Sequence, residues 1–350
     1  MSEIKTAPDM EALEKLKVAQ ERIRKQIRTV VIGQDEVVEQ LLVSILAGGH
    51  CILEGVPGLA KTLLVSTLAK SLSLDFGRIQ FTPDLMPADI TGTDVIYEDR
   101  QSGTREFKFI EGPIFTNLLL ADEINRTPPK TQAALLQGMQ ERTISAGTKH
   151  YQLPRPFFVL ATQNPIEQEG TYPLPEAQLD RFLMKIIVKY PTREEERLIY
   201  KTVTGDDQAE PEATLTGEEV LELQHLVRRV PISDFLVDYT MDLIRATRRD
   251  SEDAPEFINR WVLWGAGPRG GQSLILAAKA RAALYGRPEV SVEDLQTVAK
   301  AVLRHRIVLS YNAESEGQTA DTVIERLIEE TPLHQSAAGK DGQFERILKS

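Results

Sequence analysis

A chain of 350 residues exceeds one small core and suits one large domain or two ordinary ones. Its formal charge of −11, from 41 basic and 52 acidic side chains, disfavours indiscriminate attraction to DNA or anionic lipid but leaves room for a local basic pore. There is no apolar run near the roughly 18 residues of a spanning helix, no secretory-type N-terminus and a single cysteine, Cys51, so a cytoplasmic protein that is neither membrane-embedded nor internally disulfide-bonded is expected.

From the N-terminus, Leu13, Leu16, Ile23 and Ile27 recur at helical spacing among charged residues, predicting an amphipathic helix over 9–28 that begins after Asp9. A turn at Gly33 and a second helix follow in "VVIGQDEVVEQLLVSILAGG". The apolar "HCILEG" then runs through "GVPGLAKT" into "LAKTLLVSTLAKSL", a strand, loop and helix in which Cys51 packs as a small hydrophobe. Four further runs of strand length, 77–82, 117–123, 157–164 and 182–190, mostly alternate with helical segments. Such alternation implies an α/β fold with a parallel sheet covered on both faces, whose ligands lie beyond the carboxyl ends of its strands. Two inserts interrupt it: residues 91–112, around "DRQSG", and 142–157, around "SAG", read as β-hairpins.

After Pro191 the character changes. "TREE" (192–195), "TGEE" (216–219) and "SVED" (291–294) each place a hydroxyl three residues before a carboxylate, the pattern of a capped helix start. The expected organisation is an α/β domain over 1–191, an all-helical domain over 192–331 whose first loop is the acidic "TGDDQAEPEATLTG", and a polar tail over 332–350. "GAGPRGG" (265–271) is expected as a loop leading into the helix "SLILAAKARAALYG", and Trp261 and Trp264 are expected to pack within the helical domain.

Chemistry concentrates at three strand ends. Residues 55–62, Gly55, Val56, Pro57, Gly58, Leu59, Ala60, Lys61 and Thr62, form a phosphate-type loop between strand and helix. In such a loop successive backbone N–H groups surround phosphates at a helix N-terminus. Ala60 stands where a second glycine is usual; if the loop has already entered its helix there, helical torsions cost alanine nothing. Lys61 would then reach the β and γ phosphates, and the Thr62 hydroxyl would hold Mg²⁺. At the end of "NLLLADE", Asp122 can hold Mg²⁺ through its water shell and Glu123 can orient or deprotonate an attacking water. Asn164, ending "FFVLATQN", reaches the same edge, where its amide could position that water. Plainer readings exist: an acidic pair opening a helix, and an Asn-Pro turn.

The combination of "GVPGLAKT", "LLLADEINR", "ATQNP" and "PEAQLDRF" resembles the AAA+ ATPases and, within them, the MoxR family, over roughly residues 28–331. The resemblance implies an AAA+ P-loop core with hairpin inserts facing a central pore or client, followed by an all-α lid. It implies that Lys61 and Thr62 belong to Walker A, Asp122 and Glu123 to Walker B, Asn164 to sensor 1, Arg181 in "LDRF" to the arginine finger, and Arg269 in "GPRG" to sensor 2. Ile32 and Gly33 would pack against adenine. Read without it, Arg181 would pair with Asp180 and Arg269 would meet solvent, and Arg126 rivals Arg181 as the intersubunit contributor.

By the same resemblance the chain is expected to hydrolyse ATP with Mg²⁺ in a ring, a hexamer, and to remodel or mature a client protein in a chaperone-like way. A partner carrying a von Willebrand factor A domain is implied as well. A nucleic-acid translocase is the main alternative, since "RQSGTREFK" and "KHYQLPR" put basic and aromatic residues on the hairpins. A nucleotide-gated scaffold with little turnover is the second.

Overall fold

The computed structural model describes residues 10–98, 105–146, 149–166, 170–203 and 211–333. Asp9 as a helix start, the turn "DRQSG", residues 204–210 of the acidic loop and the tail beyond 333 lie outside these residues.

Helices α1 (Met10–Val30) and α2 (Asp35–Ala47) precede β1 (Cys51–Glu54), α3 (Lys61–Ser71), β2 (Phe76–Gln80) and the short α4 (Pro87–Thr91). A hairpin, β3 (Gly92–Glu98) with β4 (Arg105–Glu111), leads to β5 (Leu118–Asp122) and α5 (Pro129–Glu141). The second hairpin, β6 (Thr143–Ala146) with β7 (Lys149–Gln152), leads to β8 (Phe158–Gln163), α6 (Glu176–Leu179) and β9 (Met184–Ile187). The remainder comprises α7 (Arg193–Val203), α8 (Gly217–Arg229), α9 (Asp234–Ala246), α10 (Glu256–Trp261), β10 (Val262–Trp264), α11 (Pro268–Leu284), α12 (Val292–Leu303), β11 (Val308–Leu309), α13 (Tyr311–Ser315) and α14 (Ala320–Glu330).

The central sheet is parallel, in the order β2, β5, β8, β1, β9. Its near-continuous apolar runs follow from burial on both faces, because successive side chains in a strand point to opposite sides. Cys51, Leu53, Leu118, Leu120, Phe158, Leu160, Met184 and Ile186 join one core with α1, α2 and α3. Ile52, Leu119, Ala121, Val159 and Ala161 join the other, with α4 and α5. Cys51 is wholly buried, and burial pushes its thiol up to about 12. Edge strand β2 is the exception to the apolar rule, with only Ile79 buried, and its register places Gln80 opposite Asp122.

Both hairpins form antiparallel pairs and lock together through Phe109 and Tyr151, whose rings stack with centroids 4.1 Å apart. Farther out on the first hairpin, Ile96 and Phe107 face one another across the strands and are exposed.

The capped starts at Thr192, Thr216 and Ser291 all form, each hydroxyl accepting from the backbone N–H three residues on while that residue's carboxylate accepts in return. The expected helical lid forms, with one addition: β10 and β11 pair antiparallel, and two or three residues are too few to carry a period. Two further expectations for this region are corrected. "GAGPRGG" is not all loop: Gly267 caps α11, Pro268 occupies its first position, where a fixed φ and missing N–H suit a helix start, and Arg269 lies in the first turn. Trp261 packs on Phe257 and donates to Glu316 at 2.9 Å, whereas Trp264, on the short β10, is 71% exposed.

The helical region is not a separate body hung on the sheet. Leu274, Ala277, Leu295 and Val298 belong to the same apolar core as α1, α2 and one sheet face.

Candidate nucleotide site

The loop after β1 turns because its glycines meet different demands. A Cβ on Gly55 would lie 2.9 Å from the Val188 carbonyl oxygen, so close approach excludes a side chain there. Gly58 has φ of +85°, a left-handed torsion that glycine adopts freely. The expectation that Ala60 lies in helical torsions fails: with φ 51° and ψ 27° it caps α3 in the left-handed region. The chain is still reversing one residue before the helix, and an alanine there costs roughly 1–2 kcal/mol. Ala60→Gly is therefore expected to raise stability by about 0.5–1 kcal/mol after allowing for the freer unfolded chain. Chemical denaturation checks this, and a destabilised variant would argue for helical torsions at that position.

Lys61, Thr62, Asp122, Glu123, Thr162 and Asn164 line one cavity of about 390 Å³. The Lys61 ammonium donates to the carbonyls of Gly55 at 2.5 Å and Val56 at 3.2 Å, lying back over its own loop. Burial lowers its pKa, while the nearby charges of Asp122 and Glu123 oppose that shift. Asp122 emerges at the carboxyl end of β5 and accepts from Thr162 Oγ1 at 2.7 Å and from Arg78 at 2.6 Å. Thr62 and Asp122 thus bring hard oxygen donors to one cavity, a set that fits Mg²⁺. Glu123 has φ 57° and ψ 49°. This strained conformation is held by its N–H donating to Thr162 Oγ1 at 2.8 Å, and its carboxylate accepts from Gln80 at 2.8 Å and faces Arg126 at 3.2 Å. Asn164 is buried, and its oxygen accepts from the Ile166 N–H at 3.1 Å, so its NH₂ is what it can offer a ligand.

Sequence reasoning missed Thr162, Arg78 and Gln80. The available signal was weak: two polar residues at i and i+2 in a strand otherwise read as apolar, and a threonine two residues before Asn164.

The remaining expected site residues lie elsewhere. Arg181 and Arg269 line a second cavity of about 220 Å³ with His50, Asp180 and Ser273, and the two cavities share no lining residue. Arg181 donates to the Leu136 carbonyl at 3.3 Å. Asp180 is held instead by Arg306, at 2.7 Å, and Arg269 lies 3.9 Å from its other oxygen. His50 is a structural residue here: it accepts from the Val159 N–H, faces the Met139 carbonyl, and is driven by burial down to about 4. Ile32 and Gly33 line neither cavity. Gly33 has φ of +75° and lies under the Glu195 carboxylate, 2.5 Å from the place a Cβ would take.

Residues 50–184 match the model for the ATPase family associated with various cellular activities (AAA), and 259–327 match an AAA lid domain. The chain is 45% identical to Chaperone MoxR1 of Mycobacterium tuberculosis over 316 residues, spanning 90% of this chain and 82% of the relative. It belongs to the MoxR family of AAA+ ATPases. Protein MoxR of Methylorubrum extorquens is 31% identical over 299 residues, spanning 82% of this chain and 87% of that one. A solved structure from Cytophaga hutchinsonii superposes with a TM-score of 0.84 at 42% identity, covering 92% of this chain and 97% of its own. The MoxR assignment agrees with the fold in both halves, an AAA core of parallel sheet and helices followed by a lid. Among the described residues, no helix is long and apolar enough to cross a membrane.

Proposed function

We propose that this MoxR-family chain hydrolyses ATP to ADP and phosphate, as a closed ring of six copies whose sites are completed between neighbours. The observation that carries this reading is the division of functional side chains. Lys61, Thr62, Asp122, Glu123 and Asn164 surround one cavity, while Arg181 and Arg269 sit at another on the same chain. Two arginines outside the cavity of their own phosphate loop are useful if a second copy presents its loop to them.

Lys61 and the loop N–H groups would bind the β and γ phosphates, leaving the carbonyls of Gly55 and Val56. Thr62 and Asp122 would hold Mg²⁺, which when bound neutralises phosphate charge. Glu123 would take the proton of the attacking water, with the Asn164 amide orienting it. Arg181 of a second copy would meet the charge that develops on the γ phosphoryl group, and Arg269 would act beside it.

The work supported by the family is chaperone-like action on a client protein, and the name Chaperone MoxR1 is consistent with it. The exposed Ile96 and Phe107 pair on the first hairpin offers an apolar contact for a client. A partner with a von Willebrand factor A domain and a cytoplasmic setting complete the proposal.

The test is whether sites complement one another. Arg181→Ala should lose turnover, and mixing it with Lys61→Ala should restore part of it, while ATP shifts the protein to a larger species in light scattering. A persistent monomer with ATP, or no recovery in mixtures shown to co-assemble, would remove the ring. Turnover stimulated by DNA with steep salt dependence would instead favour a translocase.

A further inference from the structure

The end of α12 reaches from the lid into the segment that carries Arg181. Three consecutive residues do so. Arg304 donates to the Lys185 carbonyl at 3.1 Å, His305 bonds the Phe182 carbonyl at 3.1 Å, and Arg306 donates to the carbonyls of Asp180, Phe182 and Leu183 at 3.2, 2.7 and 3.2 Å. The Arg306 side chain is 2% exposed. Its other acceptors are Asp180 Oδ1 at 2.7 Å, Ser273 Oγ at 3.3 Å and the Val302 carbonyl, so one N–H is shared between two acceptors. Every guanidinium nitrogen is thereby fixed, and the carboxylate it touches is that of Asp180.

Asp180 is shared. Its second oxygen faces Arg269 at 3.9 Å, on the first turn of α11, and its main chain leads directly to Arg181. The cavity that holds these groups thus sets one carboxylate against the guanidinium groups of Arg181 and Arg269, with that of Arg306 behind. The local charge is positive although the chain is acidic overall, so the cavity favours an anion.

We propose that Asp180 is a positioning residue: anchored from inside by Arg306, its carboxylate holds Arg269 beside Arg181, so that both guanidinium groups meet the terminal phosphate bound by a second copy of the chain. This rests on the ring reading above and adds a regulatory consequence. Because the anchor comes from the turn that follows α12 and the second arginine from α11, the position of the finger follows the position of the lid.

The test uses Asp180→Asn in the full-length protein, which keeps an acceptor for Arg306 but removes the charge that attracts Arg269. Nucleotide affinity and KM should stay within about twofold, because the phosphate-loop cavity is untouched, while kcat falls roughly 10- to 100-fold. Mixing with Lys61→Ala subunits, whose Asp180 is intact, should restore part of the turnover, as it should for Arg181→Ala run in parallel. Arg306→Lys, which retains the buried charge, should show the same recoverable loss and serves if Asp180→Asn folds poorly. Unchanged turnover in Asp180→Asn, or a loss not recovered while that of Arg181→Ala is, would overturn the assignment of Asp180. If neither is recovered in assemblies containing both chains, the arrangement between subunits falls and the inference with it.

Discussion

Replacing Glu123 with Gln should leave ATP binding intact and lower phosphate release by roughly 10²- to 10⁴-fold, the range expected when a general base is removed. The substitution is nearly isosteric, so the left-handed turn at this position, held by the Glu123 N–H and Thr162 Oγ1, is retained. The residues that would contact phosphate and Mg²⁺, Lys61, Thr62 and Asp122, also remain in place. What is lost is a carboxylate able to accept a proton. A fluorescent nucleotide titration measures binding and a phosphate-release assay measures turnover. Equal turnover in the variant would remove Glu123 from the chemistry, and weakened binding would mean that it serves the nucleotide's charge instead of the water. The carboxylate accepts from Gln80 and faces Arg126, so the proposed role as base would need it to turn from these partners toward the phosphate loop.

The placement of these groups was legible in the sequence because each lies at the carboxyl end of an apolar run, and in a parallel sheet those ends share one edge. β1, β5 and β8 are adjacent, so the spacing of Lys61, Asp122 and Asn164 along the chain translated into proximity. Local torsion was less legible. Ala60 and Glu123 both take positive φ, and nothing in their residue type announces it, since the strain is imposed by surrounding loop and sheet. Nor were Arg78 and Gln80 foreseeable as partners of Asp122 and Glu123. Their role depends on the β2 to β5 register, a long-range fact carried by no short window. Arg269 shows the same limit: an arginine between proline and glycine reads as loop, and only the docking of α11 beside Asp180 sets it against a carboxylate.

A second large effect is expected at residues that line neither cavity. Asp294 is fully buried, yet it accepts from Arg281 at 2.8 Å and Arg287 at 2.5 Å, and it closes the cap of α12 through the N–H and hydroxyl of Ser291 at 3.0 and 2.9 Å. Arg281 continues to Glu39 on α2 at 3.2 Å, and Tyr285 donates to the same carboxylate at 2.7 Å. One network thus ties two lid helices to the helix that enters the sheet. Asp294→Ala takes from the largely buried Arg287 the carboxylate that pairs with it, leaves Arg281 with Glu39 and the more exposed Glu293, and removes a helix cap; breaking one partner from a buried pair typically costs about 3–5 kcal/mol. Glu39→Gln should cost less, because the amide oxygen still accepts and Asp294 still balances Arg281. Denaturant titration of the three proteins gives the ordering, and an Asp294→Ala loss below about 1 kcal/mol would mean that water replaces the missing carboxylate. Because α2, α11 and one sheet face share a single apolar core, the loss should move one cooperative transition. Two separated transitions would show that lid and sheet hold independently, and the coupling of lid to finger through Arg306 would then have to act across a joint that opens on its own.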